Sequence, residues 1–142
     1  MSEFSVIDLD RDGTPEVVLI VSVTEYVNSY EVLHYQDGTV YGYGFSERGF
    51  SDLKIDGTFQ SSGGAGDWGF CSLTFSKDSY TIDTFTYCDS HTKADGSEAY
   101  FVNHQSVTAD EFFAEADLWE AKPGITWYNY TGDNIDAMFY GS

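Results

Sequence analysis

"VIDLDRDGTPEVVLIVS", residues 6–22, joins two patterns in one short segment. Asp8, Asp10 and Asp12 alternate, Gly13 and Pro15 follow, and Glu16 opens a run of strand-forming residues. β-Branched residues favour a pleated backbone, whereas Asp and Gly favour turns. The segment therefore predicts a hairpin: a strand over 4–9, an acidic turn, and a strand over 16–24. A chain that opens on a hairpin is read outward as an antiparallel sheet.

The residues beyond it repeat the pattern. Strands are expected over 29–35 and 39–45 around Asp37-Gly38, because both turn residues tolerate positive φ. A weaker strand over 52–61 carries a second Asp-Gly, and a glycine-rich loop over 61–69 follows. Strands over 70–76 and 80–88 flank Lys77-Asp78-Ser79, a polar loop spans 89–98, and a further strand covers 99–103. The stretch 106–124 then carries a helix signature. Thr108 and Glu111 are spaced as a capping box, and Val107 and Phe112 as a hydrophobic staple. Phe112, Ala116 and Trp119 fall on one face, and Pro123-Gly124 ends the helix. A strand over 125–131 and a helical turn over 133–139, with Asp133 as N-cap, close the chain. The expected fold is α+β in one domain, residues 1–142: a predominantly antiparallel β-meander with a C-terminal helix packed on the sheet and a short terminal helical turn.

With Asp8 as the first position of an EF-hand-type loop, Asp8, Asp10 and Asp12 occupy positions 1, 3 and 5. Gly13 stands where that loop turns sharply, Thr14 would offer its backbone carbonyl, and Glu16 is the ninth residue. The twelfth position, normally a bidentate Glu, is Leu19, which alternates within a strand expected to be buried. The flanks here are strands rather than helices. The pattern D-x-D-x-D-G-x-x-E instead resembles the calcium hairpins of FG-GAP, integrin-type and VCBS repeats, where the ninth residue completes the ligand set, usually as Asp. Pro15 pushes Thr14 towards extended geometry. Asp8, Asp10, Asp12, the Thr14 carbonyl and Glu16 are thus a candidate Ca2+ site. The same residues also suit an acidic β-turn without metal.

Composition narrows the field. Against 24 acids stand 6 bases, a formal charge of −18, and phosphate binding needs a basic face, so nucleic acid is excluded as a partner. Anionic membrane surfaces are disfavoured likewise. The longest apolar run, 17–21, is far short of the roughly 20 residues of a membrane span. "MSEFSVIDLD" has neither the basic start nor the apolar core of a signal peptide. The chain begins almost directly in a strand, which implies a domain excised from a longer exported protein.

Cys71 and Cys88 lie about the turn at 77–80. One bulge would bring the sulfurs together as a cross-strand disulfide; without it they are two buried thiols. No Cys-x-x-Cys spacing supports zinc. His34, His91 and His104 are scattered, and no catalytic motif appears. The "GGAGDWG" loop lacks the Lys-Ser/Thr and helix that phosphate binding requires. It serves either as a hairpin connection or, through Trp68, as a ligand-facing surface.

"FSVIDLDRDGTPEVVLI", "YEVLHYQDGTVYGYG" and "YFVNHQSVTADEFFAEAD" resemble an uncharacterised family of secreted or lipoprotein-like domains of gut-dwelling anaerobic Gram-positive bacteria. Its members show an aromatic-x-x-x-D-x-D-x-D-G-x-P-E-L stretch, Tyr-rich strands with Asp-Gly turns, a YFVNG strand-to-helix junction and a TWY strand. Val17 replaces the commoner Leu here, and Asn103-His104 replaces Asn-Gly. The resemblance implies an extracytoplasmic location and no known activity. The expectation is a non-catalytic module with a structural calcium loop and a cell-envelope, glycan or protein partner. The alternative is a carbohydrate- or peptide-binding domain using aromatics around Trp68.

Overall fold

In the computed structural model, which describes residues 3–22, 28–64, 67–76, 78–89 and 98–139, the strands form two antiparallel sheets rather than one meander. The first is built from β1 (Glu3–Ile7), β2 (Glu16–Ser22), β3 (Asn28–Gln36) and β4 (Thr39–Ser46) in chain order. The second is built from β5 (Phe59–Gly64), β6 (Asp67–Ser76), β7 (Ser79–Asp89), β8 (Ala99–Val102) and β9 (Gln105–Val107). Helix α1 (Ala109–Glu120) follows, and β10 (Tyr128–Asn129) returns to the first sheet beside β1. Helix α2 (Gly132–Phe139) ends the described chain. The architecture is the expected antiparallel α+β class, divided into two consecutive meanders.

The division has a residue-level cause. The stretch 52–61, expected as a strand, contains an isolated bridge at Lys54 and a turn at Gly57, whose φ of 87° is open to glycine. It carries the chain from one sheet to the other, and the true strand starts only at Phe59. The glycine-rich stretch 61–69, expected as a loop, is mostly strand: β5 and β6 pair through Ser62 and Trp68. Gly63 and Gly64 have low intrinsic strand preference, but pairing with a long neighbour overrides it.

Two further boundaries differ from the sequence reading. The strand expected over 99–103 stops at Val102, and Asn103 (φ 49°) and His104 (φ 66°) form a two-residue turn into β9. Both residues take the positive φ of a I′ turn, the geometry for which Asn-Gly is preferred. The strand over 125–131 shrinks to two residues. At α2 the cap is Thr131 rather than Asp133, since the Asn134 N–H donates to Thr131 Oγ1 at 3.2 Å.

The sheets face each other across one core. Val18, Val32 and Phe45 of the first sheet meet Phe59, Cys71 and Leu73 of the second, with Phe50 and Leu53 of the crossover between them. Phe50 stacks on Phe59 at 4.4 Å between ring centroids. On the outer face of the second sheet, Phe70, Ala116 and Trp119 form a separate cluster under α1. The helix begins as expected: the Glu111 N–H donates to Thr108 Oγ1, and the Thr108 hydroxyl donates to the Glu111 carboxylate. Phe112, Ala116 and Trp119 are its buried residues. Its far end is fastened to the crossover. Lys54 Nζ donates to the Glu120 carbonyl and lies 4.7 Å above the Trp119 ring, while Trp119 Nε1 donates to Thr58 Oγ1. A buried cation at a helix C-terminus meets the negative end of the helix dipole. No helix among the described residues is long and apolar enough to cross a membrane.

Candidate metal centre

The acidic turn between β1 and β2 is folded around its own carboxylates. Asp8 accepts from the Asp12 N–H at 3.2 Å and from the Gly13 N–H at 2.8 Å. Asp10 accepts from the Asp12 N–H at 3.3 Å, and Asp12 from the Thr14 N–H at 2.8 Å. Left-handed Arg11 (φ 60°) and Gly13 (φ 92°) bend the chain so that alternate side chains converge. Ligand oxygens of Asp8, Asp10, Asp12 and Glu16 lie within 4.8 Å of one another. Thr14 lines the same cavity, of about 480 Å³, as Asp10 and Asp12.

Below this turn lies a feature the sequence reading did not find. Glu16 is fully buried and bonded at both oxygens: Oε1 accepts from the Leu9 N–H at 2.8 Å, and Oε2 lies 3.0 Å from His34 Nδ1. His34 is itself 2% exposed, bonds Gln36 Oε1 through Nε2 at 3.2 Å, and stacks on Phe75 of the facing sheet at 4.2 Å. The pair sits one step beyond the Val17–Leu33 register pair of β2 and β3. The signal was present: His34 alternates with buried Val32, so the strand period aims it at the core. Its partner came from an adjacent strand whose register the sequence leaves open.

Burial pushes the Glu16 carboxyl up from its ordinary 4.5 to about 7; the bonds from Leu9 and His34 oppose the rise, and Asp10 and Asp12 add to it. Burial and the Asp12 charge also raise the Asp10 carboxyl, against the bond from the Asp12 backbone. Phe75 of β6 borders the same cavity as Asp10, so the turn and the second sheet meet there. The turn is also backed by the crossover: a Cβ on Gly57 would lie 2.7 Å from the Leu9 carbonyl oxygen.

The remaining candidates are not gathered here. His104 bonds exposed Asp83 at 2.7 Å, far along the second sheet's ladder, and His91 lies outside the described residues. Trp68 is half-buried and packs edge-on against Phe70 and Phe112 at 5.8 and 5.2 Å, so its ring supports α1. One side of it borders a cavity of about 490 Å³ with Tyr87 and Gly69.

Cys71 and Cys88 are both buried and are not joined in a disulfide. A bulge does interrupt the β6–β7 hairpin, but it moves them apart. Cys71 is opposite Thr84 and Cys88 opposite Trp68, with the irregularity between Phe70 and Cys71. Cys71 belongs to the core between the sheets, whereas Cys88 pairs with Trp68 on the helix-covered face. Of the two alternatives the sequence left open, the structure has the two buried thiols, on opposite faces of one sheet. Burial raises both, Cys88 to about 11.

The turn can act chemically as a hard-oxygen cage. The Glu16–His34 pair lies beneath it, and His34 borders the same cavity as Asp10, Asp12 and Thr14. Compared with protein-family models, with curated proteins and with solved structures, the chain matches none.

Proposed function

We propose that the chain is a non-catalytic, extracytoplasmic module whose first hairpin is tied by a structural Ca2+ ion. The observation that carries this reading is the convergence of four carboxylates, Asp8, Asp10, Asp12 and Glu16, within 4.8 Å. Like charges about 4 Å apart repel by about 1 kcal/mol in water and about 4 kcal/mol at an effective dielectric of 20. A chain carrying a formal −18 adds to that strain, and a divalent cation relieves it. Hard oxygen donors with a carbonyl at Thr14 suit Ca2+, which takes six to eight such ligands. The ion would link β1 and β2. The extracytoplasmic location, which the family resemblance implies, agrees with this reading, since weak sites of this class fill where calcium is millimolar.

The test is thermal unfolding of the wild type and Asp12→Asn, each in EDTA and in about 10 mM calcium. Asn retains an oxygen for the Thr14 N–H and removes one charge. With a Kd of about 0.1–1 mM, calcium stabilises the wild type by about 1.4–2.7 kcal/mol. The variant responds less. A wild type whose midpoint is the same in EDTA and calcium has an acidic turn and no ion site.

A further inference from the structure

Among the described residues, β4 ends its sheet and pairs only with β3. The first half of β7 likewise pairs only with β6 among them, because β8 joins β7 from Thr86 onward. These two edges are neighbours: the Tyr80 ring lies 4.9 Å from that of Tyr43 and 5.2 Å from that of Phe45. Ile82 at 39% and Tyr80 at 37% remain exposed along the seam, and Val40 at 62% lies on the outer face of the first sheet, opposite Tyr35. Among the described residues the buried Tyr43 hydroxyl has no hydrogen-bond partner.

Natural sheets guard long edges with charges, prolines or bulges. β4 reads Thr-Val-Tyr-Gly-Tyr-Gly-Phe-Ser, with no charge and no proline, and its pairing with β3 runs without a slip from Ser46 to Thr39. The other edges are guarded. Ser62 N–H donates to the Arg48 carbonyl, and Ser51 and Gln60 exchange two backbone bonds over the β5 edge. β9 has three residues and β10 two.

Charge identifies the occupant. Exposed Asp37, Glu47 and Asp78 stand at the turns that bound the seam, with Arg48 next to Glu47 and Lys77 next to Asp78 in the sequence. A second copy of this chain would bring another −18 to an already acidic protein. We propose that the β4 edge receives an extended, Lys/Arg-bearing segment of a partner protein, which adds a strand to the first sheet. Main-chain bonds to β4 supply affinity, side chains on one face of the segment cover Tyr80 and Ile82 while those on its other face lie beside Val40, and its cations meet the acidic surface. This interaction is independent of the ion at the Asp turn.

The probe is a fluorescein-labelled peptide alternating Val and Thr, with Lys at its ends and centre; the control replaces each Lys with Glu. Fluorescence anisotropy should give a Kd below about 100 μM for the Lys peptide, weakening as salt rises, and at least about tenfold weaker binding of the Glu peptide. Amide hydrogen exchange should slow within 39–46. Val40→Lys and Ile82→Lys, both at exposed positions, should each weaken the Lys peptide by about tenfold or more while leaving the melting midpoint in place. The proposal is overturned by no Lys-peptide binding at about 1 mM, by equal binding of both peptides, or by protection elsewhere. A dimer that protects 39–46 without peptide also overturns it, in favour of a second copy.

Discussion

Replacing Glu16 with Gln removes a buried carboxyl while keeping its shape. The Gln oxygen still accepts from the Leu9 N–H, and its amide donates to His34 Nδ1 in place of the present contact at 3.0 Å. What changes is titration. Burial raises the Glu16 carboxyl from 4.5 to about 7, so between those values the folded state holds a proton that the unfolded state releases. Wild-type stability therefore falls as pH rises through that window and is level with respect to this group above it. At about 1.4 kcal/mol per pH unit, the loss is about 3 kcal/mol. Many other acids titrate as well, so the informative quantity is the difference between Glu16→Gln and wild type. Urea unfolding in EDTA from below pH 4.5 to above pH 7 should show the variant gaining about 3 kcal/mol on the wild type across the window. Bound calcium favours the ionised carboxylate and should shrink that gain. A difference that stays flat across the window would refute the reasoning, because Glu16 would then be solvated in the folded state.

Phe112→Ala removes a fully buried ring held against Trp68 and Tyr100, at 5.2 Å from each. It should cost about 3–5 kcal/mol in urea unfolding, and loss of far-UV helical signal should report release of α1. Cys71 and Cys88 should resist iodoacetamide in the folded protein and react together once urea unfolds it, because burial hides both and raises their thiols. Intact mass without reductant should show two thiols; rapid labelling of the native protein would contradict their placement.

Elements whose signals are local were legible in the sequence. The Asp37-Gly38 hairpin, the Thr108 cap, and the buried face of Phe112, Ala116 and Trp119 depend on φ preferences and on period, which a few adjacent residues set. The alternation of Asp8, Asp10 and Asp12 likewise marked a converging turn, and Glu16 was named within it. The errors fell where distant partners decide. Gly63 and Gly64 became strand because β6 supplied a ladder, and residues 52–58 lost theirs because the crossover needed a turn at Gly57.

The sequence by itself thus determined the strand class, the acidic turn and the amphipathic helix. Division into two sheets, the Glu16–His34 pair and the separation of Cys71 from Cys88 were decided by tertiary structure. Each depends on register or on the packing of one sheet over another. In a strand a single-residue slip exchanges the two faces, so no local pattern fixes which side chains finally meet.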